Sequence, residues 1–84
     1  MAQQFEFHAY AGDGSGVIAN QPEVFYRRMP SDSAAKAMAG RLSKRISGPV
    51  DIAIAGSAEW NDRYLTTAMP SEFHASGYCL EKQG

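Results

Sequence analysis

Three side chains could bind a metal ion through nitrogen or sulfur, or act in nucleophilic catalysis: His8, His74 and Cys79. No pair of them has the spacing of a zinc motif such as C-x2-C or H-x3-H, so the sequence predicts no metal site and no cofactor. Cys79 could meet His74 or His8 in space as nucleophile and base. Because no cations and no helix start are predicted beside Cys79, a small enzyme that uses Cys79 and a histidine is the third hypothesis.

Two other patterns look like sites of chemistry but favour simpler interpretations. Residues 12–16 contain G-x-G, but they lack the Lys-Ser/Thr and the helix that follow a phosphate-binding loop, and their composition is typical of a turn. Glu59 and Asp62 flank Trp60 in one polar segment, where we interpret them as solvated acids. A chain of 84 residues has little volume for a pocket beside its core, so we expect a protein that is not an enzyme.

The distribution of charge is the strongest functional signal in the sequence. Six of the eight Lys and Arg residues lie between positions 27 and 45, where Asp32 alone opposes them, so this segment has a charge of +5. Residues 1–26 and residues 46–84 each have a charge of −3, which leaves −1 for the whole chain. Charge that is segregated in this way concerns binding partners rather than the fold.

Strands are predicted where apolar and polar side chains alternate. In residues 4–11, one face carries Phe5, Phe7 and Ala9, and the other carries Glu6, His8 and Tyr10. Segment 50–55 is rich in β-branched residues on one face, so it is predicted to be a central strand. The other predicted strands are 23–29 and 63–69; residues 17–19 could be a short continuation of the first strand, and residues 77–81 could form a last strand.

One helix is predicted between Pro30 and Pro49. Ser31 or Asp32 can cap its first turn, and an alanine-rich sequence follows. An apolar stripe at spacings of three and four residues marks its buried face: Ala35, Met38, Leu42 and Ile46. Gly48 is expected to end the helix in the left-handed conformation.

The order strand, strand, helix, strand, strand predicts an α+β fold. We expect a single small domain, residues 1–84, with a mostly antiparallel sheet of four to five strands and one helix packed on one face. The link through the helix is long enough for a crossover, so one strand pair could be parallel. An edge strand of such a sheet could also support a dimer.

The basic segment is predicted to form a patch on the helix. At 100° per residue, Lys44, Arg41 and Arg45 fall at about 180°, 240° and 280° from Ala35, on one flank of the exposed surface opposite or beside the apolar stripe, whereas Lys36 falls on the other side. Adjacent strand residues point to opposite faces, so only one of Arg27 and Arg28 can join the patch. The candidate partner-binding residues are therefore Arg41, Lys44, Arg45, Arg28, Arg27 and Trp60.

Trp60 and the patch each have two interpretations. Trp60 could cover the open end of a small core, or it could anchor a partner, as Trp often does in interfaces. The patch could be a solvated helix face, or it could bind an acidic protein surface or nucleic acid. The whole chain is slightly acidic, and nucleic-acid-binding domains are usually basic, so a protein partner is favoured and a nucleic-acid-binding accessory protein is the second hypothesis.

The expected compartment is the cytoplasm. The chain has one cysteine, which rules out an internal disulfide, and its N-terminus lacks the basic and apolar regions of a signal peptide. No apolar run approaches the roughly 20 residues that a membrane span needs, so no membrane association is expected.

The helical stretch SDSAAKAM, residues 31–38, stands between a predicted strand pair and an apolar strand. In this arrangement the chain resembles the small single-domain anti-CRISPR proteins of phages and mobile elements, several of which place one alanine-rich helix on an antiparallel sheet. The resemblance implies a non-enzymatic inhibitor that binds a bacterial CRISPR effector complex in the host cytoplasm and blocks its nucleic-acid targeting. That family has no shared motif, so the resemblance assigns no role to any residue. The leading hypothesis is accordingly a non-enzymatic protein-interaction module.

Overall fold

The strand nearest the N-terminus lies in the interior of the main sheet, with a hydrogen-bonded neighbour on each side. The computed structural model describes residues 2–15, 17–70 and 79–80, the last two by their backbone alone. In chain order the elements are β1 (Gln3–Ala9), β2 (Val17–Ile18), β3 (Glu23–Met29), α1 (Asp32–Ile46), β4 (Val50–Ile54), α2 (Trp60–Arg63), β5 (Tyr64–Ala68) and β6 (Cys79–Leu80).

The main sheet has four strands in the order β3-β1-β4-β5, and each neighbouring pair is antiparallel. The predicted α+β fold, with one long helix against an antiparallel sheet, is thus confirmed, and β4 is an interior strand as its β-branched residues indicate. The predicted short segment at 17–19 corresponds to β2, and residues 79–80 of the predicted segment 77–81 form β6, the other three lying outside the described residues. Strands β2 and β6 do not extend the main sheet; they pair with each other in parallel.

The core lies between α1 and one face of the sheet. Phe5 and Phe7 of β1 are fully buried, as are Val50 and Ile52 of β4. Burial of side chains of this size stabilises a fold by about 1.5–3 kcal/mol each. The helix contributes a fully buried row at spacings of four residues: Ala35, Ala39 and Ser43.

The predicted apolar stripe therefore includes one residue at the centre of the contact between helix and sheet, Ala35, and three residues beside that centre. Met38, Leu42 and Ile46 are partly buried and pack beside the row of small residues. Small side chains at the centre let the helix backbone approach the sheet, and the longer ones fill the space beside it.

The two ends of α1 are fixed by different means. Ser31 caps the first turn, because its side-chain Oγ accepts a hydrogen bond of 3.1 Å from the backbone N–H of Ala34. At the other end, the left-handed residue is Ser47, with φ of 57°, so the prediction that Gly48 takes this conformation is wrong.

Gly48 is instead required by a close approach of two chain segments. A Cβ atom at Gly48 would lie 1.8 Å from the carbonyl oxygen of Tyr10, and one at Gly12 would lie 2.0 Å from that of Ser47. The backbone N–H of Gly12 donates to the carbonyl of Ile46 at 2.8 Å. The end of α1 is thereby docked on the segment that follows β1.

The glycine-rich segment after β1 forms a turn, as its composition predicts. Gly14 has φ of 89°, and the Oδ1 atom of Asp13 accepts hydrogen bonds from the backbone N–H and the hydroxyl of Ser15 at 2.8 and 2.6 Å. These bonds lower the pKa of Asp13, because they favour its charged form. Within the described ranges, neither helix is both long and apolar enough to cross a membrane.

Candidate functional site

The face of the sheet opposite α1 carries polar and aromatic side chains. Residues directly opposite each other in neighbouring strands share a face, so Glu6 lies beside Tyr26 and Ala53, and His8 lies beside Val24 and Asp51. We call this surface the open face. Glu6 and His8, the polar residues that alternate with the core residues of β1, therefore lie at the centre of the open face.

Glu6 and Arg63 are joined at the centre of the open face. The Nη1 atom of Arg63 donates to Oε1 of Glu6 at 2.7 Å and to the carbonyl oxygen of Ile54 at 3.1 Å. Its Nε atom donates to the carbonyl of Ala58 at 2.7 Å. The two charged side chains are 15% and 12% exposed, so the pair is shielded from water on most sides. Arg63 thus ties α2 and the loop before it to β1 and β4.

His8 and Trp60 complete the cluster. The Nε2 atom of His8 donates to Oε2 of Glu6 at 2.7 Å, because an ionised carboxylate can only accept. The indole of Trp60 lies 4.6 Å from the His8 ring between centroids, and the Arg63 guanidinium lies 5.7 Å from the indole centroid. Trp60 is half-buried in this setting.

The electrostatics of the cluster keep Glu6 ionised. The hydrogen bond from His8 is the largest cause that lowers the pKa of Glu6, and the hydrogen bond and charge of Arg63 lower it further against the opposing effect of burial. Both carboxylate oxygens already accept hydrogen bonds. The arrangement therefore fastens α2 to the sheet and does not present Glu6 as a free base.

A second series of side-chain hydrogen bonds links β4 to β5 on the same face. The hydroxyl of Thr67 donates to Oδ1 of Asp51 at 2.5 Å. Since its only hydrogen is then used, the phenol of Tyr64 donates to Thr67, also at 2.5 Å. Tyr64 itself is 41% exposed. These hydrogen bonds hold the edge strand β5 in register with β4.

The predicted patch residues of the helix lie on its solvent side. Arg41, Lys44 and Arg45 are all exposed and point away from the buried row of small residues. Within the described ranges, the ion pairs involve Glu6 alone as the acid, so none of these three cations has a carboxylate partner there. We call the surface formed by Arg41, Lys44 and Arg45 the basic face.

Arg27 and Arg28 lie on opposite faces of β3, as the alternation of strand residues predicts. Arg27 is directly opposite Phe5 and so lies on the helix side, where its guanidinium is 5.9 Å from the Phe25 ring centroid. Arg28 is opposite Gln4 on the open face. Of the two, Arg27 therefore lies on the same side of the sheet as the basic face.

The six candidate residues do not form one continuous surface. Trp60 packs on His8, so it lies with Arg28 on the open face, and the sheet separates both from the basic face. The structure also brings in Glu6 and Arg63, which sequence reasoning did not select. Alternation in β1 signals Glu6 as part of a polar face, but no local pattern signals its partner 57 positions away.

The other candidate sites for chemistry are a metal site, a depression beside β1 and the predicted cysteine–histidine pair. Within residues 2–15 and 17–70, no three His, Cys, Asp or Glu side chains come together as metal ligands. A depression of about 350 Å³ next to β1 and α1 is lined mainly by small or apolar side chains, and Glu23 is the one ionisable residue of its described lining. His74 and the side chain of Cys79 lie outside the described residues, so the cysteine–histidine hypothesis stays a prediction.

No family model, curated protein or solved structure matches this chain. Two surfaces of the protein are therefore the candidates for function. The open face is occupied at its centre by internal hydrogen bonds, whereas the basic face presents charges that nothing in the described part of the chain neutralises.

Proposed function

We propose that this protein is a non-enzymatic protein-interaction module that binds an acidic surface of its partner through the basic face. The observation that carries the proposal is the exposure of Arg41, Lys44 and Arg45 on one side of α1 without a carboxylate partner among the described residues. Cations placed in this way on a rigid helix steer the approach of an acidic partner and fix its orientation.

The spacing of the three cations disfavours a purely stabilising role. Arg41 lies three residues before Lys44 and four before Arg45, and like charges at these spacings destabilise a helix by about 0.2–0.5 kcal/mol per pair. Lys44 and Arg45 lie in the last turn, where the helix dipole favours cations, but Arg41 does not share this benefit. A helix surface that only needed solubility would gain from an acid at position 41.

An acidic protein surface fits the charge distribution better than nucleic acid does. The basic face offers only three cations, and the whole chain has a charge of −1, so phosphate binding would be weak and opposed by the rest of the molecule. A protein interface needs charge complementarity over a small area only. The engaged state of Glu6, whose oxygens both accept hydrogen bonds, supports a role without catalysis.

The resemblance to anti-CRISPR proteins suggests the first partner class to test. An inhibitor of that kind acts in the bacterial cytoplasm and binds a CRISPR effector complex, whose targeting it blocks. The helix on an antiparallel sheet is compatible with this class, and an acidic patch on an effector subunit would be the docking surface. The proposal of a protein-interaction module does not depend on this particular partner.

The test compares two charge-reversal variants in affinity capture and calorimetric titration. Arg41→Glu/Lys44→Glu/Arg45→Glu reverses the basic face, and Arg28→Glu/Lys36→Glu reverses exposed cations outside it. We expect wild type and the second variant to retain the partner, purified effector complexes being the first candidates, and the first variant to lose it while its circular dichroism spectrum is unchanged. Equal capture by both variants would contradict the proposal.

Salt dependence separates the two classes of partner. Titration of the wild type with double-stranded DNA and with the captured protein at two salt concentrations gives the slope for each. Nucleic-acid binding weakens by orders of magnitude between about 50 and 200 mM salt when many phosphates are contacted. Steep, tight DNA binding without any protein partner would replace the proposal with the nucleic-acid hypothesis.

A further inference from the structure

Strand β3 ends the main sheet, and its outer edge has the features of an interface. Among the described residues, β3 pairs with β1 alone, so its second row of backbone N–H and C=O groups faces outward. The strand is seven residues long, and its side chains Val24 and Tyr26 are 44% and 52% exposed. A long edge strand with exposed apolar side chains is a template for pairing with a further strand.

The charges on β3 are complementary to a second copy of the same strand. Glu23 and Arg27 lie on one face, because their neighbours in β1 are Ala9 and Phe5. Four positions along a strand span about 13 Å, so the two side chains cannot pair with each other. Both are exposed, and neither has an ion-pair partner in the described part of the chain.

We propose that the protein forms a homodimer through antiparallel pairing of β3 with β3 of a second copy, in the register that places Phe25 opposite Phe25. In this register each Glu23 lies directly opposite Arg27 of the second copy, so two ion pairs form. On the other face each Val24 lies opposite Tyr26, and the exposed apolar surface of both is covered. Cross-strand pairs of these kinds are the units that stabilise a sheet.

The same charges exclude the neighbouring register. A shift that places Tyr26 opposite Tyr26 sets Glu23 against Met29 and Arg28 against Val24, so both ion pairs are lost. Charged residues on an edge strand usually prevent pairing with other proteins. Here Glu23 and Arg27 disfavour pairing with most other strands, but they are complementary to an antiparallel second copy of β3. A second copy is therefore the partner that fits this edge best.

The pairing also fixes the shape of the dimer. Directly opposite residues share a face, so the two-fold axis is perpendicular to an eight-stranded sheet and both copies of α1 lie on the same side. If the basic face binds a partner, the dimer presents two such faces side by side, and a partner with two sites would gain by avidity. The dimer itself does not depend on that function.

Sedimentation equilibrium of the 84-residue chain tests the proposal. We expect the mass to rise from 9.1 kDa toward twice that value between roughly 10 and 500 μM, concentrations that bracket a dissociation constant in the upper micromolar range. Glu23→Arg and Arg27→Glu each replace two attractive pairs by two repulsive ones, so each should raise the dissociation constant about tenfold or more. Arg28→Glu makes the same charge change as Arg27→Glu on the other face and should change it little.

Mixing the two variants gives the decisive outcome. A chain with Glu23→Arg carries two cations at these positions, and a chain with Arg27→Glu carries two anions, so an equimolar mixture should form heterodimers as strong as the wild-type dimer. Thermal unfolding checks that each variant is folded, as expected for exposed positions. A wild-type mass of 9.1 kDa at all concentrations, or a mixture that stays monomeric, would overturn the proposal.

Discussion

The guanidinium of Arg63 donates a hydrogen bond of 2.7 Å to the carboxylate of Glu6, although the two residues are 57 positions apart in the chain. This contact joins the first strand of the sheet to the short helix before the last strand of the sheet. It also accounts for a carboxylate at a largely buried position, since the charge that burial disfavours is compensated directly.

Glu6→Gln should lower the free energy of unfolding by about 1–3 kcal/mol, the cost of leaving a buried polar group without its partner. Glutamine keeps the shape of the side chain but leaves the Arg63 charge without its partner. Urea unfolding measures the loss, and Glu59→Gln, at an exposed position directly before α2, should change stability by less than about 0.5 kcal/mol. A double-mutant cycle with Arg63→Gln should give a coupling energy above about 0.5 kcal/mol. Equal effects of Glu6→Gln and Glu59→Gln would show that the pair contributes nothing.

Stability should fall in acid partly because of Glu6. The bonds from His8 and Arg63 hold the pKa of Glu6 in the folded state below its usual value of 4.5. The folded state therefore binds this proton less readily than the unfolded chain does, and the stabilisation is fully present above pH 4.5 and is lost as the pH falls through the lower pKa of the folded state.

Unfolding free energies measured between pH 7 and pH 3 check this dependence. The decline below pH 4.5 should be shallower in Glu6→Gln than in wild type or in Glu59→Gln. Some decline should remain, because the hydrogen bonds from Ser15 also lower the pKa of Asp13. Identical slopes in wild type and Glu6→Gln would show that Glu6 does not have a lowered pKa.

The cap of α1 should be a separable contribution to stability. Ser31→Ala removes the side-chain acceptor for the backbone N–H of Ala34 and should cost about 1 kcal/mol. Ser33→Ala makes the same substitution inside the first turn, at an exposed position, and should be neutral or slightly stabilising. Thermal unfolding of the two variants compares them directly. If Ser33→Ala were the less stable of the two variants, Ser31 would not be the residue that caps α1.

Two glycines of the helix region should respond in opposite directions to alanine. Gly40 has open space where a Cβ would lie, so Gly40→Ala should stabilise the protein by about 0.5–1 kcal/mol through helix propensity. At Gly48 the added Cβ would overlap the carbonyl oxygen of Tyr10, so Gly48→Ala should cost about 1–3 kcal/mol or more. Denaturant midpoints measure both effects. Tolerance of Gly48→Ala would show that the end of α1 does not dock closely on the segment after β1.

The fold was accessible to sequence reasoning where the signals are local. The cap at Ser31, the alanine-rich turns and the apolar stripe define α1, because each depends on residues within one or two turns of each other. Alternation located β1 and separated its core side chains from Glu6 and His8. The position of the left-handed residue was missed, because the approach of Tyr10 to Gly48 depends on how distant segments dock.

The sequence by itself determined the α+β class, the residues that build α1, and the concentration of positive charge around it, since propensity, alternation and charge are properties of neighbouring residues. Only the tertiary structure decided that β1 lies between β3 and β4, that Arg63 reaches Glu6, and that Trp60 and Arg28 are separated by the sheet from the basic face. These relations depend on strand order and register, which are set by the packing of the whole core and leave no signal in any single segment.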